Sequence, residues 1–218
     1  MSVLAKICGI TEAEGLDAAV EHGADFIGFV FYAASPRVIL PAAAAELADA
    51  LPDEITKVGL FVDPTNAELE ATLSEFRLDL LQLHGAESVA RVDEIRLEFG
   101  LPVIKALGIA TGADIKAARA YEDHADWLMF DAKPTPDDTR PGGLGRSFAW
   151  HLLQDWRGET PWILAGGLTP ENVAHAVDAS GAGAVDVSSG VESAPGIKDP
   201  ARIAAFLRAA KNAGAGRW

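Results

Sequence analysis

The sequence predicts an α/β chain folded as a single (β/α)8 barrel across residues 1–218, and three observations carry that expectation. Eight apolar runs of strand length recur along the chain. Each is followed by a stretch with helical spacing and a start signal of its own. Most runs are apolar at consecutive positions, the pattern of strands covered on both faces in parallel sheets, which need helical crossovers. Eight such units in 218 residues match the lower end of the TIM barrel range. An open doubly wound sheet is the rival topology. No linker, low-complexity segment or break in composition divides the chain.

In chain order the expected strands are Val3 to Cys8, Asp25 to Phe31, Thr56 to Val62, Leu78 to Leu83, Pro102 to Leu107, Asp126 to Asp131, Trp162 to Ala165 and Ala184 to Val187. Helix starts show as capping chemistry, because a side-chain oxygen there satisfies amides that the first turn leaves unpaired. Thr11 with Glu14 and Thr65 with Glu68 read as capping boxes. Thr169-Pro170 and Asp199-Pro200 place a capping residue before a proline, whose fixed φ suits a first turn. Gly23, Gly100 and Gly158 fall where helices should stop, and a last helix over Asp199 to Asn212 closes the barrel.

Composition narrows the function. Hydrophobic residues at 49 % and charged residues at 23 % are ordinary globular usage, which excludes a disordered chain. A net charge of −14 repels a phosphate backbone, so no nucleic acid partner is expected and anionic ligands must be met by local positive sites. The longest apolar stretches fall far short of the ~20 residues of a bilayer helix, so no membrane partner is expected either. One cysteine cannot form an internal disulfide, and Met1 to Ala5 leads into a strand without an export signal. Both point to a cytoplasmic protein; separately, a monomer or a homodimer is expected.

In a (β/α)8 barrel the chemistry belongs at the C-terminal strand ends and the loops after them. The first strand ends Lys6-Ile7-Cys8, and alternation puts Lys6 and Cys8 on one face. A thiol beside a cation that lowers its pKa suits a base or nucleophile. After the second strand, Ser35-Pro36-Arg37 sets a guanidinium over the mouth, where it can take a carboxylate bidentately. The fourth ends Gln82-Leu83-His84, with His84 the only one of five histidines at a strand end. The other four fall in expected helices, so no metal site is implied and His84 reads as a substrate-contact or positioning group.

The sixth strand ends Phe130-Asp131. Burying an unpaired carboxylate is costly, so Asp131 either pairs with Lys133 or a loop amide, or stays protonated as a general acid. Apolar Leu128, Met129 and Phe130 favour the neutral acid, while Lys133 opposes it. The long segment from Pro134 to Arg146 carries Pro141-Gly142-Gly143-Leu144-Gly145 and reads as a loop able to close over a ligand. Ala165-Gly166-Gly167-Leu168 and Asp186-Val187-Ser188-Ser189-Gly190-Val191-Glu192 follow strands seven and eight, the usual phosphate site of barrels.

Taken in one order over essentially the whole chain, these motifs are similar to those of the phosphoribosylanthranilate isomerase family of tryptophan biosynthesis. The resemblance implies an Amadori rearrangement of a phosphorylated small-molecule substrate, N-(5-phosphoribosyl)anthranilate, without metal or organic cofactor. It implies Asp131 as acid, Cys8 as base and Arg37 as the handle for the anthranilate carboxylate. It also implies a phosphate site at Gly166, Gly167, Ser189 and Gly190, sugar contacts at Asp186, and substrate contacts at Lys6, Gln82, His84, Gly143 and Gly145. The chain departs from the family pattern in Arg146-Ser147-Phe148-Ala149-Trp150, where lysine, threonine and aspartate are more usual. A related histidine-pathway isomerase resembles a twofold repeat with aspartate at the first strand's end, where this chain has Cys8. A metal-dependent pentose-phosphate epimerase is opposed by the single strand-end histidine. A phosphate-binding barrel without catalysis is opposed by an acid and a base at strand ends.

Overall fold

Eight parallel strands close into a barrel in the order of the sequence, the last pairing with the first. They are β1 Leu4–Cys8, β2 Phe26–Val30, β3 Thr56–Phe61, β4 Leu80–Leu83, β5 Val103–Ile109, β6 Trp127–Ala132, β7 Trp162–Leu164 and β8 Ala184–Val187. The protein is seen here as a computed structural model that describes residues 2–135, 142–143 and 145–213. Met1 and, in the glycine-rich loop, Pro141 and Leu144 lie outside the described residues. The expected (β/α)8 architecture is therefore present, with strand bounds that differ by at most two residues at an end, as at β4 and β5.

Alternation along each strand divides the core in two. Phe26, Val58, Leu80, Ile104, Met129, Ile163 and Ala184 point inward and fill the barrel. Ala5, Ile27, Phe29, Leu81, Leu128, Phe130, Leu164 and Val185 point outward into a larger cluster shared with the helices. Each fully buried Val, Leu, Ile or Phe contributes ~1.5–3 kcal/mol, so both faces of the sheet stabilise the fold. Above the inner plug, a small group of Cys8, Val30 and Leu60, with Tyr32 and Val62 against it, leaves an apolar wall facing the mouth.

The helices are α1 Ala13–Glu21, α2 Pro41–Ala48, α3 Asn66–Glu75, α4 Val89–Phe99, α5 Gly112–Ala118, α6 Val173–Ser180 and α7 Pro200–Ala213. The Thr65–Glu68 capping box forms at α3, and Asp199 caps α7 by accepting the amides of Ala201 and Arg202 at 2.9 and 3.1 Å. Gly100 ends α4 in the left-handed conformation, and Gly23 turns the chain after α1. Among the described residues, no helix is long and apolar enough to cross a membrane.

Four expectations are corrected. Thr11 does not cap α1, since its hydroxyl donates to the Gly196 carbonyl at 3.3 Å and Glu12 occupies the cap position. Thr169-Pro170 lies in a turn ahead of α6, which starts only at Val173. Between β6 and β7 the described helix is a 3-10 helix, Trp150–Asp155, so Gly158 ends no α-helix and instead packs against Trp156 and Glu122. Of the other histidines only His175 lies within an α-helix; His22 caps α1, His124 lies in a turn and His151 in the 3-10 helix. After β8 the chain forms an antiparallel hairpin, β9 Glu192–Ala194 and β10 Ile197–Lys198, that the sequence reading did not anticipate.

Candidate active site

The C-terminal strand ends converge on a cleft enclosing about 870 Å³, its open mouth included. Cys8, Arg37, Gln82, His84 and Asp131 all line it. So do Asp186, Ser189 and the glycines at 143, 145, 166, 167 and 190. Of the residues singled out from the sequence, Lys6 is the exception. It lies beneath the cleft floor, fully buried, with Nζ donating to Asp186 Oδ1 at 2.9 Å across the β1–β8 register. Lys6 is therefore paired with Asp186 and faces the Cys8 thiol from below the cleft. Gly28 of β2 leaves the room, since a Cβ there would sit 3.0 Å from both Lys6 Nζ and Cys8 Sγ.

The electrostatics of Cys8 reverse the expectation. Burial pushes its thiol above the ordinary value, and the ammonium groups of Lys6 and Lys198 offset only part of that rise. Desolvation wins because the thiolate would form on the apolar wall beside Val30 and Leu60. Burial works in the opposite direction on Lys6, but Asp186 and Cys8 outweigh it and hold the ammonium above its ordinary value. The thiol thus sits neutral beside a permanent cation.

On the opposite wall, Asp131 is buried and held by two donors. Its Oδ1 accepts the Ala132 amide at 2.7 Å, and Oδ2 lies 3.2 Å from His84 Nε2. Gln82 Nε2 lies 2.8 Å from His84 Nδ1, while Gln82 Oε1 is buried with no partner among the described residues. Lys133 does not oppose Asp131 as expected. It turns outward to Asp114 of α5 at 2.6 Å and, with the Thr111 hydroxyl and neighbouring amides, holds that carboxyl far below its ordinary value.

Arg37 is buried rather than exposed. Its Nε and Nη2 donate to the two oxygens of Glu192 at 2.6 and 2.9 Å, a bidentate pair. The remaining edge lies under Gly143, where a Cβ would come within 2.6 Å of Nη1. The same loop crosses the acid wall at Gly142, where a Cβ would meet His84 Nε2 at 2.5 Å and Asp131 Oδ2 at 3.1 Å. At Gly145 it passes Ser189. Glycine thus stands at each described crossing of a functional group, which the Gly-Gly-x-Gly motif signalled without its geometry.

The loops after β7 and β8 meet so closely that a side chain at Gly190 would collide with the Leu168 carbonyl. These loops bring Gly166, Gly167, Ser189 and Gly190 to the cleft lining, where backbone amides can meet an anion. No group of three or more His, Cys, Asp or Glu among the described residues is placed to hold a metal ion.

Two sets of residues escaped the sequence reading. Glu87 and Lys105 form a fully buried pair at 2.7 Å; Glu87 accepts the amides of Asp63 and Gly85, and Lys105 donates to the carbonyls of Leu83 and Gly85. They fix the backbone on both sides of His84. A lysine inside the apolar β5 run was the signal, because it needs a partner. Glu192 and Lys198 of the hairpin form the second set, and only Glu192 stood in a motif.

A family model described as N-(5'phosphoribosyl)anthranilate (PRA) isomerase matches residues 5–209. The N-(5'-phosphoribosyl)anthranilate isomerase of Paramagnetospirillum magneticum is 56 % identical over 211 residues, covering 97 % of this chain and 98 % of that protein. The crystal structure of phosphoribosyl anthranilate isomerase from Thermotoga maritima superposes with a TM-score of 0.84 at 38 % identity, covering 96 % of this chain and 99 % of that one. A crystal structure of phosphoribosyl anthranilate isomerase in complex with reduced 1-(o-carboxyphenylamino)-1-deoxyribulose 5-phosphate gives a TM-score of 0.82 at 36 % identity, covering 96 % and 99 %.

Proposed function

The chain belongs to the N-(5'-phosphoribosyl)anthranilate isomerase family of tryptophan biosynthesis, and from that membership we propose that it rearranges N-(5-phosphoribosyl)anthranilate to 1-(2-carboxyphenylamino)-1-deoxyribulose 5-phosphate by general acid–base catalysis. The observation that carries this mechanism is that a thiol and a carboxyl group, Cys8 and Asp131, line one cleft together with Arg37 and the glycine loops after β7 and β8. The substrate's own nitrogen serves as electron sink, so no metal or organic cofactor is required.

Asp131 donates a proton to the furanose oxygen as the C1–O bond breaks, and the anthranilate nitrogen lone pair forms the C=N bond of an iminium. That cation acidifies the C2 proton, which Cys8 removes, and the C–H electrons form a C1=C2 bond while the nitrogen regains its lone pair. The resulting enolamine tautomerises to the ketone. After donation, the Ala132 amide and His84 stabilise the Asp131 carboxylate. A thiol raised by burial yields a stronger base once ionised, and Lys6 stands beside the thiolate as it forms.

Binding follows the charges. Arg37 takes the anthranilate carboxylate, with the ring against the apolar wall of Val30 and Leu60. Gly166, Gly167, Ser189 and Gly190 take the phosphate through their amides, and Asp186 takes a sugar hydroxyl. A lone buried thiol suits a reducing compartment, and the cytoplasm is the proposed location. The test generates the fluorescent substrate in situ and follows its loss. Wild-type protein should consume it, and Asp131→Asn should lose about 10²-fold to 10⁴-fold in turnover. Turnover by Asp131→Asn near the wild-type rate would remove the aspartate as the acid.

A further inference from the structure

The hairpin after β8 does something that neither the barrel nor the acid–base pair requires. It carries a carboxylate on β9 and an ammonium on β10 inward, against the two anion-binding ends of the cleft. Glu192 uses both oxygens on Arg37, and its Oε1 also accepts from Lys198 Nζ at 2.9 Å. Lys198 Nζ donates further to the Ser188 carbonyl at 3.0 Å and approaches its hydroxyl at 3.4 Å. The Ser188 hydroxyl in turn donates to the Cys8 carbonyl at 3.0 Å. One buried ammonium therefore contacts the arginine's partner and the residue that opens the phosphate loop.

We propose that Glu192 and Lys198 are positioning residues: Glu192 fixes the fork of Arg37 for the substrate carboxylate, and Lys198 ties that fork to the phosphate loop. This inference rests on the isomerase reading of the cleft. The geometry favours positioning over mere stability, because a buried ion pair is seldom more stabilising than apolar side chains of similar volume. A hairpin serving only as a plug would bury apolar residues, yet this one exposes Ile197 and buries Lys198. Its turn is also seated against the mouth. Gly196 packs directly on the Pro36 carbonyl, one residue before Arg37, and accepts a hydrogen bond from Thr11. With Nε and one Nη2 proton committed to Glu192, the guanidinium cannot rotate, so its Nη1 edge stays turned to the cleft. Burial raises Glu192, but Arg37 and Lys198 outweigh it and keep the carboxylate below its ordinary range.

Steady-state kinetics and calorimetric titration of inorganic phosphate, on wild type and three variants, test the proposal. Arg37→Ala should raise KM and leave phosphate binding at the wild-type level. Glu192→Gln should raise KM about tenfold, the effect of one weakened charge-assisted hydrogen bond, with kcat changed far less. A purely electrostatic Glu192 predicts the reverse, since removing a negative charge would tighten anion binding. Lys198→Met, which leaves Glu192 paired with Arg37 and so leaves no lone charge, should raise KM and weaken phosphate binding together, each by about tenfold. A Glu192→Gln enzyme with unchanged or lower KM overturns the first half of the proposal. Unchanged phosphate affinity in Lys198→Met overturns the second, and does so even if Glu192→Gln fails to fold. Wild-type protein that binds phosphate but turns over no substrate sinks the isomerase reading, while the calorimetric arm still tests the Lys198 link.

Discussion

The two walls of the barrel mouth are built from different physics. On the β8, β1 and β2 side, Lys6, Asp186, Arg37, Glu192 and Lys198 interlock as buried ion pairs at 2.6–2.9 Å. On the β4 and β6 side, Gln82, His84 and Asp131 stand in single file at 2.8 and 3.2 Å, with one amide oxygen unpaired among the described residues. A cage of ion pairs holds its charges fixed, which suits a wall proposed to meet the substrate's permanent anions. A file of hydrogen bonds runs through an imidazole from the Gln82 amide to the Asp131 carboxyl, an arrangement that suits the proton donation proposed for Asp131. Buried polar groups are costly when unpaired, so the second wall depends more on close packing from above.

The largest expected effect breaks the base side at its centre. Cys8→Ala should lower kcat by about 10²-fold to 10⁴-fold while substrate still binds, because the cage that holds the anions stays intact. The pH dependence sharpens the same point. Burial raises the Cys8 thiol, so the basic form accumulates only as pH climbs past the ordinary thiol value of about 8.5. The ultraviolet absorbance of the thiolate, which this chain's one cysteine supplies, should therefore still be rising at that pH in wild type but not in Cys8→Ala, and a thiol titration complete near neutrality would show that burial does not control Cys8.

A smaller effect tests the packing of the acid wall. Gly142→Ala brings a methyl group to 2.5 Å from His84 Nε2, so the imidazole or the loop must shift. A misplacement of about 1 Å at a reacting group costs roughly 10²-fold. Turnover should fall by up to that factor with the fold unchanged by circular dichroism. If turnover is unaffected, the loop does not press on the acid.

The smallest effect lies just outside the wall. Lys133 follows Asp131 by two residues, yet it is half exposed and paired with Asp114. Lys133→Ala should change unfolding free energy by less than about 1 kcal/mol, as for exposed pairs generally. A larger loss in urea titration would mean that the charge reaches inward after all.

Much of this was legible from sequence, and the limit of legibility is physical. The eight strands, the caps at Thr65 and Asp199, the strand-end positions of Cys8, His84 and Asp131 and the loop position of Arg37 all follow from period, turn chemistry and capping, which act within a few residues. The barrel rule then placed those ends on one rim. Pairing across the barrel was not legible. Arg37 meets Glu192 across 155 positions of sequence, and Lys6 meets Asp186 across 180. Only closure of β8 onto β1 brings these partners together. The same closure buries Cys8, and that burial turned the expected fall in its pKa into a rise. The sequence by itself determined which groups stand at the mouth. The tertiary structure alone decided which of them are paired and how dry each one is, because desolvation and ion pairing depend on neighbours that local sequence does not contain.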